Sequence, residues 1–239
     1  MQEHGHSQQE IRDRIAHPPG RGLVRDMVYG GIDGSVTTFA IVAGVAGAGL
    51  SPFVIVALGL ANVLADGFSM AAGNYSGTKA ERDDIRRIRV VEQRHIEQNP
   101  EGERLEVREI LAQKGLAGHV LDEATEAICA RRDTWIALML EGEYGLSGVD
   151  PHPMRAAMAT FGAFLLAGMV PLLPFLVGLP GAFTLSTCMT LAVFFVIGAL
   201  KSRWSLQPWW SSGLETLAIG GAAAALAYVV GTLFHPGGG

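Results

Sequence analysis

Hydrophobic residues gather in five long runs along this chain, and one charged stretch divides them two against three. The runs cover residues 27–49, 53–77, 154–177, 181–200 and 212–234. Each approaches the roughly 20 residues a helix needs to cross a hydrocarbon core of about 30 Å. Residues 80–150 instead alternate charged and apolar positions at a helical period. This pattern predicts three amphipathic helices. The first continues the second run to Gln98 and stops at Asn99-Pro100. The second spans Glu101 to Lys114 and is closed by Gly115; the third spans Leu121 to Tyr144, broken near Arg131 and closed by Gly145. Pro171 and Pro174 predict a kink in the third run. The expected fold is an all-α membrane protein of five transmembrane helices. A three-helix cytoplasmic domain is inserted between helices 2 and 3.

The expected boundaries are a polar tail over 1–25, helices 1–2 over 26–79, the helical domain over 80–150 and helices 3–5 over 151–239. The apolar segment after the tail carries Asp33 and lacks a small-residue cleavage site, so no cleaved signal peptide is expected. His4 and His6 read as part of a mobile tail.

Charge then sets an orientation. All 18 Lys and Arg residues fall in the tail, the polar middle with its junctions, or the loop at 201–203. The loops near 50–52 and 178–181 carry none. The positive-inside rule places the N-terminus and the 80–150 domain in the cytoplasm. Trp204, Trp209 and Trp210 sit where an interfacial aromatic belt would lie. The short polar leader fits a bacterial inner membrane.

Composition excludes several classes. Cys129 and Cys188 are too few and too distant for a disulfide framework or a thiolate metal site, and read as small apolar fillers. The glycines at 44–49 follow no strand and precede no phosphate-binding lysine. The arginines alternate with acids, so no nucleic-acid partner is expected.

Within the runs, charge is costly and points to function. Asn62, Asp66, Met70 and Asn74 recur every fourth residue and share one helical face. A carboxylate, a thioether and amide oxygens suit a borderline or transition metal better than magnesium or calcium. In the first run Asp33 lies roughly 12 Å inward from Arg25, at 1.5 Å per residue, with Thr37 one turn further. Counting inward from Lys79 sets Met70 level with Asp33, and Asp66 level with Thr37. The carboxylates, the hydroxyl and the thioether are thus expected to face one cavity. Glu215 lies nearer an interface and reads as an ordinary surface acid.

The polar helices carry a second set. Glu92-x-x-His95 and Glu103-x-x-Glu106 each put two ligand types on one helical face, and Met139 and Glu143 lie four apart on the next helix. Carboxylates with a Glu-x-x-His pair on neighbouring helices are how bundles hold iron and manganese.

Taken together, Asp33-Gly34 with Thr37-Thr38, "VAGVAGAG" at 42–49, "SMAAGNY" at 69–75 and "KGL" at 114–116 resemble the vacuolar iron transporter family. Met139 through "EYGL" at 143–146 and "HPMRAAMATFGAF" leading to "PLLP" extend that resemblance over nearly the whole chain. It implies a homodimer in the lipid bilayer that is not an enzyme and holds no prosthetic group. It implies that ferrous iron, and manganese as a further substrate, leave the cytosol in exchange for protons. It also implies that Asp33 and Met70 line the path, while Glu92, His95, Glu103, Glu106, Met139 and Glu143 collect metal. The chain departs from the plant pattern in four places. His95 replaces a Glu, Leu140 stands at an acidic ligand position, Asn74 replaces the Glu of a "GEY"-like motif, and Asp66 is an additional acid. The alternatives are a passive divalent-metal channel or a metal sensor gated by the Glu-rich domain, and a membrane-anchored di-iron ferroxidase. The last is disfavoured by a single Glu-x-x-His pair.

Overall fold

The computed structural model describes residues 7–16, 23–146 and 150–235, and no strand occurs among them. His4 and His6 lie outside these residues. The chain forms two compact units, one from Met1–Ile11, Gly22–Ser76 and Pro153–Gly239, the other from Arg12–Arg21 and Gly77–His152. Among the described residues, five helices are long and apolar enough to cross a membrane: Val24–Gly47, Pro52–Gln98, Pro153–Leu176, Ala182–Trp204 and Trp209–Thr232. Part of the expected tail is helical, forming α1 (Gln8–Ala16). Ser7 Oγ accepts from the Glu10 amide at 3.3 Å and the Ser7 amide donates to Glu10 Oε2 at 3.1 Å, a reciprocal cap.

In the apolar unit α2 (Val24–Gly47) packs closely against α7 (Pro153–Met169), α9 (Ala182–Lys201) and α10 (Trp209–Thr232). Between helices in lipid the hydrophobic effect gives no attraction, so tight backbone approach must supply it. Gly30 and Gly34, one turn apart, face the backbone of Thr160 and Phe164 on α7. A Cβ on Gly34 would lie 2.5 Å from the Phe164 carbonyl oxygen. Phe39, Val42, Val45, Ile55, Val63, Leu172 and Ala224 form the apolar core. Buried hydroxyls bond back along their own helices, as Ser35 Oγ does to the Gly31 carbonyl at 2.8 Å and Thr190 Oγ1 to the Ser186 carbonyl at 2.8 Å.

The expected kink appears as a 3₁₀ turn, Val170–Leu172, between α7 and α8 (Leu173–Leu176). Pro174 has no amide to donate, so the helical ladder is interrupted there. Ser186 Oγ on α9 donates to the Pro171 carbonyl at 2.7 Å and satisfies one acceptor at the break.

The helix α3 (Pro52–Gln98) is continuous and contributes to both units. Its apolar half buries Ile55 and Val63. Gly59 admits Leu172, and Gly67 admits Phe161 and Phe164.

The polar unit combines the end of α3 with α4 (Pro100–Gln113), α5 (Gly118–Cys129) and α6 (Arg132–Gly142). The third expected helix is therefore two, parted at Arg131, whose backbone is extended. At the start of α4 the Asn99 side chain accepts from the Gly102 amide at 3.2 Å, and Pro100 opens the first turn. Gly115, with φ of +94°, lets the chain leave α4. Val107, Leu111, Leu121, Trp135 and Met139 form the larger apolar cluster, and Ile88, Ile136 and Leu140 a smaller one.

Candidate metal centres

The first candidate site lies inside the membrane-spanning helices. Thr37 Oγ1 donates to the Asp33 carbonyl at 2.8 Å, and Asn62 Nδ2 donates to Thr37 Oγ1 at 3.4 Å. The Asp33 and Asp66 carboxylates are close enough for their charges to act on each other. Asn74 Nδ2 donates to Asp26 Oδ1 at 3.0 Å and to Thr160 Oγ1 at 2.7 Å, tying α2, α3 and α7 together. The α3 row of Asn62, Asp66, Met70 and Asn74 is half-buried throughout, whereas the flanking Ala61, Leu64, Ala65, Phe68 and Ser69 are exposed. One face of α3 is thus polar and turned inward.

This register corrects the expected one. Thr37 meets Asn62, not Asp66, and Asp33 meets Asp66, not Met70. The turn over residues 48–51 between α2 and α3 fixes the pairing. Positions equidistant from that turn face each other, which sets 37 against 62 and 33 against 66. Arg25 and Lys79 mislead as depth markers because long cationic side chains carry their charge away from their own Cα. Met70 lies one turn beyond Asp66 on the same half-buried row.

A cavity of about 600 Å³ runs beside this site, lined by Arg25, Tyr29, Ile32, Asp33, Lys201 and Trp204 among others. Lys201 is paired with Glu215 at 3.7 Å, which accounts for that acid.

The second candidate site lies in the polar unit. Glu92, His95 and Glu103 each bring a ligand atom within 4.8 Å of the others. His95 Nδ1 is 3.9 Å from Glu92 Oε1 and 3.5 Å from Glu103 Oε1. Helical spacing places Glu92 and His95 on one face of α3, and the Asn99 cap turns α4 back so that Glu103 meets them. Glu92 and Glu103 are 1% and 5% exposed, and the Oε2 atom of each is buried without a hydrogen-bond partner. Two such oxygens in a buried setting are costly when both acids are ionised, and either a cation or a proton shared between Glu92 and Glu103 relieves that cost.

Burial, with Glu106, Glu92 and Glu143 close by, pushes the Glu103 carboxyl up to about 7. Desolvation, and then Glu92 and Glu106, raise Glu143, which sits at the exposed rim. Glu106 is also exposed, within electrostatic reach of Glu103 and Glu143. Met139 is fully buried in the apolar cluster with Val107 and Trp135. Leu140 likewise serves packing, against Ile88 and Ile136.

Sequence reasoning passes over Tyr144, whose hydroxyl donates to Glu92 Oε1 at 3.0 Å. Burial and this hydrogen bond raise the phenol, so it stays a donor at any physiological pH. Asp26 and Thr160 are the other omissions. Nothing in their spacing singles them out, since both gain meaning only from Asn74.

Residues 24–232 match the VIT family. The chain is 35% identical over 212 residues to "Vacuolar iron transporter 1" of Arabidopsis thaliana, covering 86% of this chain and 84% of that protein. It is 33% identical over 229 residues to "Vacuolar iron transporter 1" of Eucalyptus grandis, covering 92% and 91%. It is 33% identical over 224 residues to "Vacuolar iron transporter" of Toxoplasma gondii, covering 89% and 74%. Five apolar helices and relatives of this kind make it an integral membrane protein. With the match running from the start of α2 to the end of α10, the chain belongs to the VIT family.

Proposed function

We propose that this protein exports divalent iron, and manganese as a second substrate, from the cytosol in exchange for protons. The observation that carries the reading is that Asp33 and Asp66, on two membrane-spanning helices, lie within electrostatic reach of each other in the register marked by the Asn62–Thr37 hydrogen bond. Two carboxylates at that depth demand a counter-charge, and a divalent ion or protons supply it. A metal binds only the deprotonated carboxylates, so metal and protons compete for the same oxygens. Alternate occupation of one site by ion and protons is the physical basis of exchange. Thr37 and Asn62 hold the helices in register, and Met70 adds a soft donor one turn away.

On this reading the protein is a homodimer with its N-terminus and polar unit in the cytoplasm. The polar unit collects the ion at Glu92, His95 and Glu103, with Glu106 and Glu143 as further contributors, and delivers it to the membrane carboxylates, while Met139 serves the apolar core. The relatives' names support iron as the substrate. Ferrous flux into proteoliposomes, read together with lumenal pH, tests the reading. Exchange requires proton movement opposite to the metal, whereas metal flux with no proton movement would make the protein a channel.

A further inference from the structure

We propose that His95 makes the Glu92–His95–Glu103 cluster a site for divalent ions that take an imidazole nitrogen, with cobalt, nickel and zinc favoured over manganese by more than an all-oxygen site would favour them. This rests on reading the cluster as a metal site. The geometry singles out Nδ1 as a ligand, because that atom, at 3.9 and 3.5 Å, faces both carboxylates. Two ligands about 2.1 Å from one ion, at tetrahedral or octahedral angles, lie about 3.0–3.4 Å apart. The His95–Glu103 pair at 3.5 Å is already close to that range, and the His95–Glu92 pair at 3.9 Å lies about half an ångström outside it.

A purely structural role for His95 accounts for less. A protonated imidazole would donate toward the Oε1 atoms only, leaving the two buried Oε2 atoms to a proton shared between the carboxyls or to a cation. Tyr144 already occupies Glu92 Oε1, which leaves Glu92 Oε2 as the unengaged oxygen. The His95 side chain is 49% exposed, so water can reach the ion and complete its coordination. Leu140, Ile136 and Met139 close the neighbouring core with apolar groups. The donor set is thus one nitrogen and two carboxylates. Imidazole suits zinc, nickel and related ions, whereas carboxylate and water suit manganese. Because every such site follows the general affinity order of these metals, the diagnostic quantity is the change in ratio when the nitrogen is removed.

The test uses the full-length protein in detergent. Bound Mn²⁺ is measured by electron paramagnetic resonance and displaced with Co²⁺ or Zn²⁺, for wild type, H95E, H95Q and E103Q. The expected result is that the Co²⁺-over-Mn²⁺ preference falls roughly tenfold or more in H95E, while Mn²⁺ affinity is kept or improved. Pulsed resonance of Mn²⁺-loaded wild type should show nitrogen modulation that H95Q loses, which serves also if H95E does not fold. An unchanged ratio in H95E, or wild type with no nitrogen modulation, overturns the assignment of His95 provided that E103Q weakens binding. Binding undisturbed in E103Q would instead remove the metal site itself.

Discussion

Asn62 on α3 donates a 3.4 Å hydrogen bond to Thr37 on α2, and the register this contact marks sets Asp33 against Asp66. Two long helices that meet through side chains rather than close backbone packing depend on such contacts for alignment. Asn62→Leu should leave Thr37 with only its bond to the Asp33 carbonyl and cost about 1 kcal/mol. The double change Thr37→Val with Asn62→Leu should recover part of that loss. Thermal melting of the purified protein, followed by helical circular dichroism, measures both.

Glu103 supplies a pH dependence. Its carboxyl is raised from 4.5 to about 7, so the folded protein holds this proton more tightly than the unfolded chain. The stability it contributes is full below 4.5 and is lost as pH rises through about 7. In the metal-free protein Glu103→Gln should therefore be the more stable form at pH 8, as a melting series against pH would show. Metal binding runs the other way. It needs the carboxylate, so affinity should rise between about pH 6 and 8 with proton release in isothermal titration. In Glu103→Gln the stability effect should vanish and the proton release on metal binding should shrink.

Tyr144 holds one oxygen of Glu92 and leaves the other to an ion. Tyr144→Phe keeps the ring and removes the donor. Metal affinity of the polar unit should drop about tenfold, as for other groups that orient a ligand. Titration of wild type and variant with the same ion checks this, and equal affinities would assign the phenol to packing alone.

Gly34 tests the packing of α2 on α7. A Cβ there would meet the Phe164 carbonyl oxygen at 2.5 Å, so Gly34→Ala must push the helices apart. Gly162, on α7, has nothing within 4 Å of an added Cβ and should accept Ala without loss. Melting temperatures of the two variants, side by side, separate close approach from a general effect of losing glycine.

Much of this structure is legible in the sequence, and the exceptions have physical causes. The five spans follow from apolar runs of membrane length, and the kink from Pro171 and Pro174. The α3 row is legible because a four-residue repeat must share a face. The register between Asp33 and Asp66 was missed because charged ends are poor rulers, while the turn at 48–51 is a good one. The helix α1 went unrecognised although Ser7-x-x-Glu10 is a capping signature. The break expected near Arg131 is the split between α5 and α6. Glu92 and His95 share a helical face by their spacing, whereas the approach of Glu103 depends on how α4 folds back. Met139 shows how a thioether at ligand spacing also packs in a core, and Tyr144 could not be chosen before its distance to Glu92 was known.

The proposed exchange requires Asp33 and Asp66 to carry both metal and protons. Its most direct test is ferrous uptake with simultaneous lumenal pH recording in proteoliposomes, comparing wild type with Asp33→Asn and Asp66→Asn. The account expects metal entry coupled to proton exit in wild type, and loss of both in each variant with folding intact. Wild-type metal flux in the variants, or wild-type flux with no proton movement, would contradict it.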